Sequence, residues 1–277
     1  MSDGVDIALI QTRTPATPEA GWAHLEPLIR EAAAGGAQFI LTPEASNVME
    51  QRREFRDAAI RPQDQDPVVS GTAALAKELG VWILLGSAIV RAEGDERAAN
   101  RSMLFDDGGR EVQTYDKLHV FDVDLPNGDR YRESATVRPG EAARIADTPW
   151  GRLGFAICYD IRFPHLFRQL GKAGADMIAL PAAFTVPTGE AHWETLLRAR
   201  AIENGAFVLA PAQGGAHEDG RKTWGRSTVV GPWGEIIAKA DHAEPCVLPA
   251  RLDMAAVARA RTSVPSLTHD REFSPPQ

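Results

Sequence analysis

GRLGFAICYDIRFP, residues 151–164, carries the decisive pattern of this chain. Leu153, Phe155 and Ile157 alternate with Gly154 and Ala156, the period of two of a strand with bulky side chains on one face and close packing on the other. Cys158 follows at the carboxyl end of that strand, and the residues after it read as the start of a helix. At such a turn a thiol can point into a crevice, and the next backbone N–H, that of Tyr159, can face an oxyanion developing on a carbonyl. A buried structural cysteine would look the same in isolation, since free cysteine is among the most buried residue types. What distinguishes Cys158 is the company it keeps.

AQFILTPEAS, residues 37–46, reads as a short apolar strand, Phe39 to Leu41, with Glu44 just beyond its end. RSMLF and REVQTY flank the turn Asp106-Asp107-Gly108-Gly109, a strong hairpin signal, and Lys117 comes directly after the second strand. Three polar groups at three strand ends point to one shared site. A carboxylate can act as base to a thiol, and an ammonium can neutralise the charge that builds on a carbonyl oxygen during attack. Lys117 and the nearby carboxylates push the thiol pKa in opposite directions, and the sequence leaves the net direction open. The stretch from Lys117 to Gly140 has no good helical or strand period and contains Pro126, Gly128 and Pro139; it is expected to be a loop forming part of the site wall.

Composition narrows the class. The chain has 277 residues, 44% hydrophobic, enough to bury a full core as one large domain or two merged halves; a single domain over 1–277 is expected, with 262–277 as a polar tail containing three prolines. A formal net charge of −8 argues against a nucleic-acid partner. No apolar run reaches the length of a membrane span, and MSDGVDIALI lacks the features of a secretory leader, so a cytoplasmic location without membrane association is expected. With only Cys158 and Cys246, and no His/Cys cluster at ligand spacing, neither a disulfide framework, a metal nor another cofactor is expected.

Strands and helices alternate along the chain without repeats. Leu25, Leu28, Ile29, Ala32 and Ala33 form one face of a helix opened by Thr17-Pro18 and closed by Gly35-Gly36, with Pro27 predicting a kink. A second helix is expected over His192 to Asn204, with Trp193, Leu196, Leu197 and Ala201 on one face. Strands are expected at Val5–Gln11, Trp82–Ile89, Met177–Leu180, Ala206–Ala210, Ser227–Val230 and Glu235–Ala238. This alternation implies an α/β fold of two sheets with helices outside.

The ordered segments IALIQ, LTPEAS, YDKLHVFDVDLP, YRES, GFAICYDIRFP, PAAFTVPTGEAHWETLLRARAIEN and TWGRSTVVGPWGE span nearly the whole chain, and together they resemble the nitrilase superfamily of carbon–nitrogen hydrolases, in particular its Nit branch. The resemblance implies an α-β-β-α four-layer sandwich that commonly dimerises through its outer helices, with a tail that embraces the partner subunit; a frayed tail is the alternative for 262–277. It implies Glu44 as general base, Lys117 as oxyanion-stabilising cation, Cys158 as nucleophile, and Glu133, in YRES, as a second glutamate that orients the lysine and assists proton transfer. No cofactor is implied, and the partner is a small-molecule amide.

For the substrate, the resemblance places Arg162, Phe184 and Thr188 around a 2-oxo acid, with Tyr159 beside them. Arg162, four residues past Cys158, would sit one helical turn beyond it and hold a carboxylate bidentately. An internal salt bridge from Arg162 to Asp160, and a plain core role for Phe184, are the alternatives, while His192 and Trp193 read as packing at a helix start. The context looks closer to the deaminated-glutathione amidases than to ω-amidases acting on 2-oxoglutaramate. An N-carbamoyl amino acid amidohydrolase and a catalytically silent scaffold member remain as further readings, whereas nitrile-hydrolysing members usually carry Trp-Glu where this chain has Tyr159-Asp160. The chain also has Gly225-Arg226-Ser227 where the family usually has Gly-His-Ser, an added cation expected to alter a subunit contact or a pocket edge.

Overall fold

Alternation along the strands sorts the apolar side chains into layers. Val5, Ile7 and Leu9 face one way and Ala8 and Ile10 the other, each set joining a different buried cluster. The computed structural model describes residues 4–125, 128–274 and 276. In chain order the elements are β1 (Gly4–Gln11), α1 (Pro18–Ala34), β2 (Phe39–Leu41), α2 (Arg53–Ala59), α3 (Pro67–Leu79), β3 (Trp82–Arg91), β4 (Ala98–Phe105), β5 (Glu111–Asp116), β6 (Asp122–Asp124), β7 (Arg130–Arg132), β8 (Ile145–Thr148), β9 (Gly151–Phe155), α4 (Pro164–Lys172), β10 (Met177–Ala179), α5 (Val186–Asn204), β11 (Phe207–Ala210), β12 (Gly214–Ala216), β13 (Lys222–Trp224), β14 (Thr228–Val230), β15 (Ile236–Lys239), β16 (Cys246–Asp253) and α6 (Ala255–Ser263).

Two six-stranded sheets result, ordered β16-β1-β2-β3-β4-β5 and β15-β14-β11-β10-β9-β8. Their inner faces share one core that joins Ile7, Leu9, Leu41 and Leu104 of the first sheet to Leu153, Phe155 and Met177 of the second. Leu25 and Ile29 of α1 and Val68 and Leu75 of α3 cover the outer face of the first sheet. Phe167 of α4 and Trp193 and Leu197 of α5 pack on the second. The expected α-β-β-α layering is therefore present. In each sheet the central strands β1-β2-β3 and β9-β10-β11 run parallel, so their carboxyl ends gather on one edge.

Thr17 caps α1 by accepting the Ala20 N–H, and Gly35 closes it. The helix runs without a break across Pro27; both Pro27 and Ala23, whose carbonyl loses its partner there, are exposed, so water can satisfy the freed group. Helix α5 begins at Val186, six residues before the expected start at His192, because Pro187 falls in its first turn, where no amide donor is required. The stretch 117–140 is not a plain loop. It contains the hairpin β6–β7, in which Asp122 pairs with Arg132 and Asp124 with Arg130, followed by a 3₁₀ turn over Glu133–Ala135. Three-residue strands of alternating charge carry no apolar period that sequence reading can detect; Pro126 lies outside the described residues. Strand β16, unmarked in the sequence reading, pairs along the whole of β1, from Gly4 opposite Asp253 to Gln11 opposite Cys246. The boundary expected at residue 262 falls inside α6, and Asp270 beyond it is ion-paired to Arg168 and Lys172 of α4.

His217, after β12, is buried, with Nε2 2.8 Å from Thr223 Oγ1 and Nδ1 3.4 Å from the Thr14 carbonyl. Burial, assisted by Arg221 and Arg13, lowers its pKa to about 4. Because the folded value lies below the unfolded one of about 6.5, His217 supports stability above pH 6.5 and that support is lost as pH falls toward 4, a difference of about 3 kcal/mol. Denaturant titrations of wild type and His217→Gln should therefore diverge between pH 7 and 4, with the wild type losing about 2–3 kcal/mol more.

Candidate active site

The strand end that begins the site is strained. After β9, the Ala156 N–H donates to the Ala179 carbonyl at 3.0 Å and the Cys158 N–H to the Pro181 carbonyl at 2.9 Å. Cys158 itself has φ 48°, a left-handed conformation for a residue with a side chain. The chain then makes a 3₁₀ turn over Cys158–Arg162, and α4 starts only at Pro164, so Arg162 ends a tight turn instead of standing one α-helical turn beyond the cysteine. Two rows of backbone pairing thus hold the thiol at the sheet edge. The Tyr159 N–H, second in that turn, has no backbone acceptor among the described residues.

Asp160 locks this turn to the neighbouring sheet. Its carboxylate is fully buried; Oδ2 accepts from the Ile157 N–H at 2.8 Å and the Tyr115 hydroxyl at 2.7 Å, and Oδ1 accepts from the His119 N–H at 3.0 Å and lies 2.7 Å from His119 Nδ1. Burial, with the adjacent Asp160 charge, raises the Tyr115 hydroxyl pKa, so it stays a donor. This clamp joins the residue before Cys158 to the residues on either side of Lys117. It also overturns the alternative in which Asp160 pairs with Arg162.

Glu44 stands past the end of β2 on an equally constrained backbone: Ala45 has φ 53° and donates to Ser87 Oγ at 2.8 Å, and Gln213 Nε2 donates to the Glu44 carbonyl at 2.9 Å. Lys117 Nζ, 2% exposed, donates to Glu44 Oε1 at 2.8 Å and to Glu133 Oε1 and Oε2 at 3.1 and 2.9 Å. Glu133 Oε2 also accepts the Phe121 N–H at 2.6 Å. Burial works against the Lys117 charge, yet Glu133, Glu44 and Cys158 outweigh it and raise its pKa. Burial likewise opposes ionisation of Glu44, but Lys117, with hydrogen bonds from Cys158 and Asn100, brings its pKa below the ordinary value. The Cys158 thiol moves the other way, pushed well up by burial and then by the Glu44 charge, more than Lys117 and the Ala183 N–H offset. The direction left open by the sequence is upward.

These groups line a cavity of about 320 Å³, the lower end of the size that encloses a drug-sized ligand. Tyr159, Arg162, Phe184 and Thr188 all reach it. The Arg162 guanidinium lies 5.9 Å from the Tyr159 ring and 5.5 Å from the Phe184 ring, meets His192 Nδ1 at 3.3 Å, and has no carboxylate partner among the described residues. Phe184 is both wall and core, 4.9 Å from Trp193. His192 is more than helix-start packing, since it steadies Arg162. Arg226 lies outside the cavity lining; its guanidinium sits 5.2 Å over Trp224, and its carbonyl accepts the Trp193 Nε1–H at 2.9 Å. Among the described residues no group of three or more His, Cys, Asp or Glu is disposed to hold a metal ion.

The carbon–nitrogen hydrolase family matches residues 6–262. The chain belongs to that family. It is 40% identical over 271 residues to the deaminated glutathione amidase of Yersinia enterocolitica, covering 97% of this chain and 94% of that one. It is 35% identical over 238 residues to an omega-amidase of Xenopus tropicalis, covering 86% and 84%. Among solved structures, the NitFhit protein of C. elegans superposes with a TM-score of 0.88 at 33% identity, over 97% of this chain and 65% of that one. The chain thus spans about two thirds of that protein's length. This carbon–nitrogen hydrolase is an amidase with the nitrilase-type fold.

Sequence reading missed Asp160, Tyr115, His119 and Asn100 as site components. Asn100 left one faint signal, a lone amide in the otherwise small and apolar start of β4, whereas Tyr115 and His119 flank Lys117 in a segment already marked. A neutral thiol beside an ionised carboxylate has a measurable consequence. The ultraviolet thiolate absorbance of Cys158, taken as wild type minus Cys158→Ser, should develop only above the ordinary thiol value of about 8.5; a thiolate already formed at pH 7 would contradict the arrangement.

Proposed function

We propose that this amidase hydrolyses the distal amide of a small 2-oxo acid through a thioester on Cys158, with deaminated glutathione as the preferred substrate class. The observation that carries the reading is Lys117, buried between Glu44 and Glu133 beside the Cys158 thiol at the wall of one cavity. Glu44 takes the thiol proton as sulfur attacks the carbonyl. The oxyanion is met by the Lys117 ammonium and the Tyr159 N–H. Collapse breaks the C–N bond, and the amine leaves with the proton returned by Glu44. Glu44 then removes a proton from water, hydroxide adds to the thioester, and collapse of the second intermediate frees the acid and restores the Cys158 thiol. Glu133 holds Lys117 in place throughout.

Arg162 is the carboxylate anchor of this reading, being a cavity-lining guanidinium with no ion pair of its own, stacked between Tyr159 and Phe184 with Thr188 close by. The relatives named for deaminated glutathione support the larger substrate; the one named omega-amidase supports 2-oxoglutaramate, which differs in releasing ammonia instead of a peptide amine. We place the enzyme in the cytoplasm, as one catalytic domain that assembles as a homodimer. Supporting this are two free cysteines, one of them the nucleophile, and the exposed Trp233 and Ile202, 62% and 54% accessible, on the outer side of the second sheet.

Two experiments test the assignment. Glu44→Gln, which removes the proton acceptor of both half-reactions, should lose most of its turnover, and any enzyme that still acylates should hold the acyl adduct on Cys158, seen as added mass on the intact protein. Lys117→Ala should fail before acylation and lose about a hundredfold or more in rate, since a missing oxyanion donor costs about 3 kcal/mol. Arg162→Lys should lower kcat/KM for 2-oxo acid amides about tenfold, lysine lacking the bidentate fork, with neutral short amides hydrolysed poorly by both enzymes; neutral amides proving best would remove the pocket assignment.

A further inference from the structure

The two carboxylates that share Lys117 also share an uncharged donor. Asn100 on β4 is 2% exposed, and its Nδ2 donates to Glu44 Oε1 at 2.9 Å and to Glu133 Oε1 at 3.3 Å. Its main-chain carbonyl accepts the Lys117 backbone N–H at 3.0 Å, so one residue touches both carboxylates and fixes the main chain that carries the lysine. An ionised carboxylate only accepts, which fixes the amide with its nitrogen toward the two acids and its oxygen turned away. That oxygen, Oδ1, is buried with no hydrogen-bond partner among the described residues. An unsatisfied interior acceptor destabilises a fold, and a local rule broken in this way is expected where function requires it.

We propose that Asn100 is a positioning residue for the hydrolytic reaction, anchoring Oε1 of Glu44 to Oε1 of Glu133 so that the other oxygen of Glu44 is presented to the Cys158 thiol and to the water that follows. Other side chains would fail here for definable reasons. A lysine or arginine would bind Glu44 as a second cation and weaken it as a base. An aspartate would place a third negative charge against two. An aliphatic residue would leave the carboxylate free to rotate. The same donor helps to keep Glu44 ionised. The proposal rests on the assignment of Glu44 as the base.

Its test is the pH profile of kcat/KM on 2-oxoglutaramate for wild type, Asn100→Ala, Asn100→Ser and Asn100→Asp, together with the pH dependence of Cys158 alkylation by iodoacetamide. In Asn100→Ala the acid limb should rise by about one pH unit and kcat at the plateau fall about tenfold, with KM changing less than kcat. Asn100→Ser, which retains a donor, should recover much of both, and Asn100→Asp should raise the limb further. If the alanine variant does not fold, the serine and aspartate variants carry the comparison through the alkylation profile. Acid limbs that superimpose on wild type, with only thermal stability reduced, would make Asn100 a structural residue and overturn the proposal. Glu44→Gln separates the two failures: wild-type turnover in that variant would remove the base and the proposal together, whereas its inactivity beside unshifted asparagine variants would remove the role of Asn100 alone.

Discussion

A lysine ammonium 2% exposed to solvent is the constraint around which this molecule is arranged. Removing an ion from water carries a penalty of several kcal/mol even after relaxation, and only close opposite charge with well-aligned hydrogen bonds offsets it. Lys117 has two carboxylates within 3.1 Å, each with a further donor of its own, Asn100 for Glu44 and the Phe121 N–H for Glu133. Truncating Lys117 would leave two carboxylates facing each other uncompensated, and truncating either carboxylate would leave the ammonium with half of its acceptors. The groups must therefore arrive together, from the ends of β2 and β5, from β4, and from the turn after β7.

That requirement accounts for features that look local. The parallel pairing of β1-β2-β3 and of β9-β10-β11 brings strand ends to a common edge, and the antiparallel β4–β5 hairpin delivers Lys117 beside Asn100. Asp160 contributes no reacting atom to the proposed chemistry, yet its four contacts tie the turn bearing Cys158 to the segment bearing Lys117 across the two sheets. Left-handed backbone at Cys158 and Ala45 is held by the same kind of over-determination, each residue's N–H fixed by a partner from another element.

Legibility in the sequence followed the physics of each element. Strands and helices with an apolar period, such as Gly4–Gln11 and Pro18–Ala34, were readable within a residue or so, because burial imposes the period on the side chains. The β6–β7 hairpin was invisible, since its pairing is between charged, exposed residues whose register depends on tertiary neighbours. The early start of α5 was hidden by Pro187, which reads as a breaker but is harmless in a first turn. In the site, Glu44, Lys117 and Cys158 were marked by strand ends. Asn100 acts through partners distant in the chain, and Asp160 joins one local contact, the Ile157 N–H, to the distant Tyr115 and His119, relations that a single sequence does not display.

The electrostatic state of the resting site bears on how the nucleophile of the proposed mechanism, Cys158, is kept from damage. A standing thiolate in an open cavity would meet oxidants and alkylating agents continuously, because the thiolate is the reactive form. Here burial and the Glu44 charge keep Cys158 protonated while Lys117 keeps Glu44 ionised. The proton is thus parked on sulfur with its acceptor already in place. In the mechanism proposed above, binding an acyl group against Lys117 draws the ammonium's field toward the developing oxyanion, and transfer from sulfur to Glu44 then accompanies bond formation instead of preceding it. The burial of Lys117, which makes the ion pair costly at rest, also strengthens its interaction with an oxyanion formed beside it. In the proposed mechanism one buried cation therefore serves both states: it holds the base ionised before the reaction and receives the negative charge during it.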